Sequence, residues 1–303
     1  MNASTRRGRD AAASVPLRAR AFVLLQHLLP RRGLSRAVHA LTRSRRSWLR
    51  RLVTRVFVAR FPIDMQEAAE PDPYAYPSFN AFFTRALRPG VRPQPADATL
   101  VTSPADGTLQ QADPINDQHV VQAKGQRYPL RTLLADHPLT ARYAGGSACT
   151  VYLAPYNYHR VHMPCAGTLV AWSHVPGDLY SVNAATAAAL PGLFARNERV
   201  VCHFESDAGA FAVVLVGAMN VGSIETVWAG EITGDHRRAP VRHVDVPRDA
   251  DQRVTLQRGD EVGRFNMGST VIVLLPPDAA SLLEGHAPGN TVRVGTPLAR
   301  WHA

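Results

Sequence analysis

From Leu100 to the C-terminus, short apolar runs alternate with turns that are rich in Gly, Pro and Asp. Runs of this length with many β-branched residues are typical of strands, and their close spacing favours antiparallel pairing. We predict strands at Thr108–Gln110, Ala148–Leu153, Gly167–Trp172, Val200–Phe204, Ala210–Val216, Ile224–Trp228, Val271–Leu275 and Thr291–Val294. This part of the chain is therefore predicted to be a mostly antiparallel β body.

Before Leu100, the apolar residues recur at helical spacing instead. One predicted helix face carries Trp48, Leu49, Leu52, Val53, Val56 and Phe57. An earlier apolar patch, Ala21–Leu29, ends at Pro30 and is about half the roughly 20 residues needed to span a bilayer. No small-residue cleavage site follows it, so we predict no signal peptide.

Two shorter segments also have helical character. Ser78 is a predicted N-cap, and a helix after it would place Phe79, Phe82, Phe83 and Leu87 on one apolar face. The alanine-rich segment Ala184–Leu190 is either a helix or a mobile loop. The whole pattern predicts an α+β fold in four parts: a basic extension (1–19), amphipathic membrane-surface helices (20–60), a proline-rich linker with a short helix (61–99), and a β-rich domain (100–303).

The charge of the chain is concentrated at its N-terminus. Residues 1–60 contain fifteen arginines and one acid, Asp10, so they carry +14, while the whole chain carries +10. The remaining residues therefore sum to −4. The three cysteines, Cys149, Cys165 and Cys202, are far apart and form no C-x-x-C pair, which argues against a disulfide framework and favours a reducing compartment.

Arginines interleaved with apolar residues and a Trp are typical of helices that lie in the plane of an anionic membrane surface. A helical hairpin packed on its own domain is the alternative. No zinc-finger, helix-turn-helix or RNP signature accompanies the arginines, so we predict no nucleic-acid partner.

A glycine followed by two hydroxyl residues, Gly268-Ser269-Thr270, directly precedes the apolar run Val271–Leu275. Such a tripeptide is most often a turn, in which Gly supplies an unusual φ and a hydroxyl caps an amide. The other hypothesis is that Ser269 attacks the carbonyl of Gly268, which no Cβ shields. That chemistry requires a nearby base.

Two other motifs could supply the base. Asp106 lies in the turn Ser103-Pro104-Ala105-Asp106-Gly107, and His159 and His162 lie three residues apart in Tyr158-His159-Arg160-Val161-His162-Met163-Pro164. The histidines could be ordinary half-buried residues or two metal ligands. However, no H-E-x-x-H motif or third ligand is evident, so we predict no metal site. A third possibility is acid–base chemistry, in which Asp106, a histidine and Ser269 form an Asp-His-Ser set.

These motifs, in this order and together with Phe79-Asn80-Ala81-Phe82-Phe83-Thr84-Arg85, resemble phosphatidylserine decarboxylase of the bacterial membrane-associated type. The similarity extends from about residue 20 to the C-terminus. The family usually has leucine before Gly-Ser-Thr where this chain has Met267, which is a conservative apolar change.

The resemblance implies a role for each matching residue. Asp106 and His162 would be the charge-relay pair that activates Ser269. Ser269 would cut the chain after Gly268 and become a pyruvoyl group, the covalent cofactor that forms a Schiff base with the substrate amine. By the same resemblance, the product of decarboxylation is phosphatidylethanolamine. We predict that His159 serves the decarboxylation step as proton donor, with a purely structural role as the alternative.

The resemblance also implies partners and a location. The large chain 1–268 would stay with the small chain 269–303, two such units would form a homodimer, and the enzyme would act on phosphatidylserine as a peripheral protein at the cytoplasmic face of the bacterial cell membrane. Two alternatives remain open at this point. One is a decarboxylase of a soluble amino acid, and the other is a non-catalytic membrane-binding β module.

Overall fold

The computed structural model describes residues 21–24, 26, 31–123, 126–219, 223–232, 239–247 and 253–302. The predicted extension 1–19 and part of the patch Ala21–Leu29 lie outside these residues. Residues 21–24 and 26 are helical. The following helices are α1 Arg31–Thr42, α2 Ser47–Arg60, α3 Phe79–Phe83, α4 Leu130–Leu133, α5 Ala184–Ala189 and α6 Leu193–Arg196, with a 3₁₀ turn at Pro138–Tyr143.

Eighteen strands are present in the described residues. They are β1 Leu100–Thr102, β2 Gly107–Pro114, β3 His119–Ala123, β4 Gln126–Pro129, β5 Ser147–Leu153, β6 Arg160–His162, β7 Gly167–Val175, β8 Arg199–Ser206, β9 Gly209–Gly217, β10 Ile224–Thr226, β11 Gly230–Ile232, β12 Arg242–Asp245, β13 Thr255–Leu256, β14 Glu261–Phe265, β15 Ser269–Leu275, β16 Ala280–Leu282, β17 Thr291–Val292 and β18 Pro297–Trp301. Each of the eight predicted apolar runs overlaps one of these strands.

The largest sheet has nine strands, eight of them in the order β12-β7-β8-β9-β15-β5-β2-β17, with β13 paired to β7. Neighbouring strands are antiparallel, as predicted. The central strand β15 is buried along its whole length. Because strands buried on both faces lack polar alternation, the unbroken apolar run Val271–Leu275 is explained by this position. The residue that opens β15 is Ser269.

The two faces of this sheet are covered differently. Alternate residues of β15 contribute to two separate cores: Val271 and Val273 to one, and Ile272 and Leu274 to the other. The first core includes residues of the four-stranded sheet β11-β10-β14-β6 and of the three-stranded sheet β1-β18-β16. The second includes residues of the β3–β4 hairpin and of the short helices α4 to α6. The period of two along β15 thus places Ser269 on the face toward the first core.

Helix α2 divides its apolar residues between the domain and solvent. Val53 and Phe57 pack against the Phe cluster, which consists of Phe79, Phe82 and Phe83 of α3. On the outer side, Trp48, Leu52 and Val56 are 62%, 51% and 61% exposed. The single apolar face that was predicted therefore forms two surfaces, and the exposed residues form a stripe at i, i+4 and i+8. Membrane placement of this helix stays a prediction.

Two further sequence predictions are confirmed. Ser78 caps α3 by accepting a hydrogen bond from the N–H of Ala81, and the alanine-rich segment forms α5. The three cysteines are free and buried. Within the described residues, no helix has both the length and the apolar character required to cross a membrane.

Candidate active site

The junction between β14 and β15 has an unusual backbone. Met267 has φ +102° and Gly268 has φ +20°. A non-glycine residue in this region costs roughly 1–3 kcal/mol and persists only where the surrounding structure enforces it. A Cβ on Gly268 would meet nothing within 4 Å, so glycine is needed there for conformation rather than for space. The peptide that precedes Ser269 is therefore held in a strained turn.

Ser269 itself is completely buried. It pairs with Leu153 of β5 and with Gly217 of β9, and its Oγ has no hydrogen-bond partner. Leaving a buried hydroxyl unpaired costs roughly 1–3 kcal/mol. Other buried side-chain atoms of the described residues, among them Thr150 Oγ1 and Thr270 Oγ1, also lack a partner, so the free Oγ indicates a nucleophile only together with the strained turn directly before it.

A polar network fixes the residue just before the strained turn. The side chain of Asn266 donates to Ser223 Oγ at 2.7 Å and accepts from Asn80 Nδ2 at 2.8 Å. Arg43, just past the end of α1, donates from Nη2 to the same Ser223 Oγ at 3.2 Å. This network connects the N-terminal helices to the junction.

His159 lies directly before β6 and is fully buried. Its Nδ1 donates to the Asn157 carbonyl at 2.8 Å, and its ring lies 4.0 Å from that of Phe83, centroid to centroid. Burial lowers the pKa of His159 to about 3, so the ring is neutral near pH 7. With the proton on Nδ1, Nε2 keeps a lone pair, and this buried atom has no partner.

His159 and the junction share one set of apolar neighbours. Phe83 contacts His159, and Met267 packs against the Phe cluster to which Phe83 belongs. His159 therefore contacts this cluster directly, and Ser269 lies two residues after Met267, which packs against it.

His162 lies at the end of β6 in a polar setting. Its Nδ1 donates to the Gly259 carbonyl at 2.7 Å, so in the neutral ring Nε2 accepts the hydrogen bond from Tyr158 OH, at 2.9 Å. Burial lowers the pKa of His162 below its usual value, which favours the neutral form. A neutral imidazole is the form that a general base requires.

Asp106 is held by partners that the sequence motifs did not indicate. Its carboxylate accepts bonds from Arg92 Nε at 3.0 and 3.1 Å, from Arg92 Nη2, and from the Val294 N–H at 2.9 Å. Arg92 also binds Glu67 at 2.6 Å. Both Glu67 and Arg92 come from the segment predicted as a linker, and no local pattern of residue types foretells a contact between such distant positions.

The structure brings Asp106 and His162 into one region. The His162 N–H donates to the carbonyl of Pro104, two residues before Asp106. Among the hydrogen bonds of the described residues, however, none joins Asp106 to His162 or either histidine to Ser269. The assignment of these residues as a relay stays a prediction. Also within the described ranges, no group of three or more His, Cys, Asp or Glu side chains is arranged to hold a metal ion.

Comparison with known proteins identifies the family of the chain. The family model described as phosphatidylserine decarboxylase matches residues 79–300, and a second model, described as PSD, matches residues 21–62. The first match includes Asp106, both histidines and Ser269.

Curated relatives are similar over nearly the whole chain. Phosphatidylserine decarboxylase proenzymes from Shewanella frigidimarina and Acidovorax ebreus are 45% and 48% identical, each over 92% of this chain and 97% of their own length. The proenzyme from Alkalilimnicola ehrlichii is 51% identical over 82% of this chain and 86% of its own. From these matches, the chain belongs to the phosphatidylserine decarboxylase family.

Proposed function

We propose that this chain is the proenzyme of a phosphatidylserine decarboxylase, which makes phosphatidylethanolamine after cutting itself between Gly268 and Ser269. The observation that carries the proposal is the Ser269 hydroxyl, which is buried without a partner directly after the strained turn of Met267 and Gly268. A hydroxyl in ordinary turn chemistry would cap a nearby amide, whereas this one is free to act as a nucleophile.

In the proposed cleavage, Ser269 Oγ attacks the carbonyl carbon of Gly268 and gives its proton to a base. The Gly268–Ser269 amide bond breaks, so an ester to Oγ replaces it and the Ser269 nitrogen becomes a free amine. Loss of the Ser269 α-proton then breaks the Cβ–Oγ bond and releases Gly268 as a carboxylate. The resulting enamine takes up a proton at Cβ and becomes an imine. Water then adds at Cα, and ammonia leaves. The products are chain 1–268 and chain 269–303, the latter beginning with a pyruvoyl group.

The buried setting of Ser269 is suited to such a group, since it is apolar and lies at the head of a rigid central strand. The pyruvoyl ketone would bind the substrate amine and accept the electrons of the Cα–carboxylate bond when CO₂ leaves. Burial also disfavours the charged state of an unpaired substrate carboxylate.

We assign the proton transfers to the two histidines. His162, with Asp106 orienting it, is the proposed base for cleavage. This requires His162 to exchange its present hydrogen bonds with Tyr158 and Gly259, and Asp106 its bonds to Arg92, for contacts with each other and with Ser269. His159 is the proposed proton donor once CO₂ has left. In the neutral ring Nε2 holds a lone pair, so His159 would first have to take up a proton there, and the absence of another hydrogen-bond partner in the described residues leaves Nε2 open to do so.

The exposed stripe of α2 supports a peripheral position on an anionic membrane. Its placement at the cytoplasmic face of a bacterial membrane is part of the proposal by resemblance alone. Arg51 and Arg55 are exposed beside that stripe, where they can approach acidic headgroups. Such a position favours phosphatidylserine over a soluble amino acid as substrate. Assembly of two cleaved units into a homodimer is part of the proposal by resemblance alone.

Denaturing electrophoresis and intact-mass analysis test the proposal. The purified wild-type chain should give the two fragments and release CO₂ from phosphatidylserine, while Ser269→Ala should remain one inactive chain. Ser281→Ala, which alters an exposed serine, is the control and should behave as wild type. An uncut wild-type chain without activity would support the alternative of a membrane-binding β module. CO₂ release from free serine but not from the lipid would support a soluble amino acid as substrate.

A further inference from the structure

Arg85 follows Thr84 directly after the Phe cluster, and the described residues give this buried cation no counter-ion. The residue is 5% exposed, and its Nε is buried without a hydrogen-bond partner. Among the described residues its guanidinium forms no hydrogen bond and no ion pair, and it lies over the face of Phe82, 5.7 Å from the ring centroid. Arginine carries five N–H donors and stays charged, so its burial without acceptors is costly.

The Arg85 side chain lines a cavity of about 160 Å³. The cavity is also lined by Arg92, Asp106 and Tyr158. The remaining lining cation, Arg293, pairs with Glu67 at 2.7 Å, and Arg92 binds both Glu67 and Asp106. The lining carboxylates other than the exposed Asp64 therefore already have cationic partners.

Burial lowers the pKa of Arg85, and the nearby Tyr76 and Asp106 oppose that shift without contacting the guanidinium. The neighbouring charges thus leave the donors of Arg85 unused. A polar side chain that is buried, unpartnered and directed at a cavity indicates a ligand of complementary chemistry. For a guanidinium, that chemistry is an oxyanion, which it binds through paired N–H groups.

Resting on the proposed function, we propose that Arg85 binds the phosphodiester of the lipid headgroup and so positions the substrate. The substrate offers two anions, the phosphodiester and the carboxylate. The carboxylate loses its negative charge as CO₂ forms. A buried arginine bound to it would therefore stabilise the ground state more than the transition state and would slow the reaction. The phosphodiester keeps its charge throughout, so binding it orients the headgroup without opposing the chemistry.

The location of the cavity agrees with this role. Its wall includes Pro62, two residues after the end of α2, and Tyr156 to Tyr158, which lead directly to His159. Phe61 and Tyr156 are in ring contact at 6.3 Å. The cavity thus lies between the helix with the exposed apolar stripe and the segment with the proposed proton donor. Phe83, two residues before Arg85, is in ring contact with His159, and the charge of Arg85 adds to the larger effect of burial in lowering the pKa of His159.

The test uses processed enzyme and three variants: Arg85→Gln, Arg85→Lys and the control Arg88→Gln. Arg88 is three residues away and exposed. With a short-chain phosphatidylserine, Arg85→Gln should raise KM about 10- to 100-fold, as expected for the loss of charge-assisted hydrogen bonds. Arg85→Lys should recover part of this loss because it keeps the charge but not the paired donors. Arg88→Gln should leave KM unchanged.

Two competitors identify which anion Arg85 binds. Glycerophosphoethanolamine has the phosphodiester without the carboxylate, and L-serine has the carboxylate without the phosphodiester. Arg85→Gln should weaken inhibition by the former at least tenfold and leave inhibition by the latter unchanged. The reverse pattern, or unchanged inhibition by both, would overturn the proposal.

If Arg85→Gln does not fold or is not cut, wild type and Arg85→Lys decide the matter. Failure of glycerophosphoethanolamine to compete in the wild type, or equal inhibition of the two proteins, would overturn the proposal. A wild-type chain that is cut but releases no CO₂ from any phosphatidylserine would instead refute the proposed function, so the two failures can be told apart.

Discussion

At the scale of single residues, the site is marked by polar atoms that the fold leaves unsatisfied. Ser269 Oγ and His159 Nε2 are buried without partners, whereas His162 and Asp106 have theirs. A lone pair without a partner on a neutral, buried histidine can accept a proton directly. A lone pair that already accepts a hydrogen bond must first give up that bond. The roles of the two histidines can therefore be separated by experiment.

We expect His159→Ala to be cut normally but to release very little CO₂. We expect His162→Ala to slow cleavage by roughly 10³-fold, by analogy with other catalytic triads. Cleavage is followed by electrophoresis, and turnover by CO₂ release from the fraction that is cut. His286→Ala is the control, because the His286 side chain forms no hydrogen bond with the described residues. An uncut His159→Ala variant beside a normally cut His162→Ala variant would make His159 the base.

Buried histidines also make the stability of the protein sensitive to acid. Burial lowers the pKa of His203 to about 3, helped by the nearby charges of His137 and Arg142, while an unfolded histidine titrates near 6.5. Below pH 6.5 the unfolded state gains a proton that the folded state resists. The stabilisation is therefore complete above that pH and is lost as pH falls toward 3.

From this single group, the free energy of unfolding should fall by about 2 kcal/mol between pH 6.5 and pH 5. His203→Leu should make this decline shallower. It should also lower stability at pH 7.5, because the hydroxyl of Tyr143 loses its partner at 3.0 Å. Denaturant melts at several pH values measure both effects. An identical slope in wild type and variant would contradict the assigned titration, and His286→Gln is the control.

The sequence predicts the proposed nucleophile, Ser269, better than the residues around it. Ser269 could be singled out because Gly268 and the apolar run of β15 are adjacent in the chain. Arg92 binds Asp106, and Glu67 binds Arg92. Both lie in a proline-rich segment with no periodic pattern, so their place at the site depends on contacts between distant parts of the chain. Arg85 belongs to a motif that the family resemblance uses, but nothing in the motif indicates that its charge is buried and unpaired.

At the scale of elements, β15 and the turn before it act together. The strand is fixed on both sides by β5 and β9, so the strained residues Met267 and Gly268 must take up the change of direction from β14. Asn266 is the last residue before that turn, and its side chain holds Asn80 and Ser223. We infer that this network keeps the Gly268 carbonyl oriented for attack.

Asn266→Ala should therefore slow self-cleavage by roughly 10- to 100-fold, since small errors in the orientation of reacting groups have effects of this size. Ser223→Ala should have a smaller effect in the same direction, because Asn80 still holds Asn266. The rate is measured from the fraction cut over time after synthesis. Asn116→Ala, which changes an exposed asparagine, is the control. Normal cleavage in a folded Asn266→Ala protein would remove the network from the mechanism.

Strands of the large sheet were predicted more readily than those of the smaller ones. β5, β8, β9 and β15 are apolar runs because the sheet buries them on both faces. β6 and β14 contain Arg160, Glu261 and Arg264, whose charges are satisfied by salt bridges. Their short, mixed sequences carry no strand signal, and pairing within the small sheet makes them strands.

At the scale of the whole molecule, the N-terminal helices have two tasks. The inner side of α2 packs on the Phe cluster, and the outer side leaves Trp48, Leu52 and Val56 exposed. Sequence periodicity could place these residues on one broad face but could not tell which part of it the domain would cover. Deletion of residues 1–60 would remove both surfaces. A loss of vesicle binding in that variant could then come from lost packing or from lost membrane contact.

The triple variant Trp48→Ser, Leu52→Ser and Val56→Ser removes only the outer surface. Three apolar side chains that enter a bilayer interface contribute up to about 1.5–3 kcal/mol each, so binding to vesicles with anionic lipid should weaken at least tenfold. Self-cleavage and turnover of a soluble short-chain substrate should stay unchanged, because these side chains do not support the core. A change at Val227 and Val241 to serine, two exposed apolar residues elsewhere, is the matched control.

Salt separates the two contributions to this binding. Raising the ionic strength should weaken vesicle binding of the wild type, because it screens the attraction of Arg51 and Arg55 to acidic headgroups. The triple variant should lose most of its residual binding under the same conditions, since charge is then its main remaining attraction. Sedimentation with vesicles at low and high salt measures both effects. If the triple variant binds as tightly as the wild type at both salt concentrations, the outer side of α2 is not the membrane-contacting surface, and the membrane must be met elsewhere on the molecule.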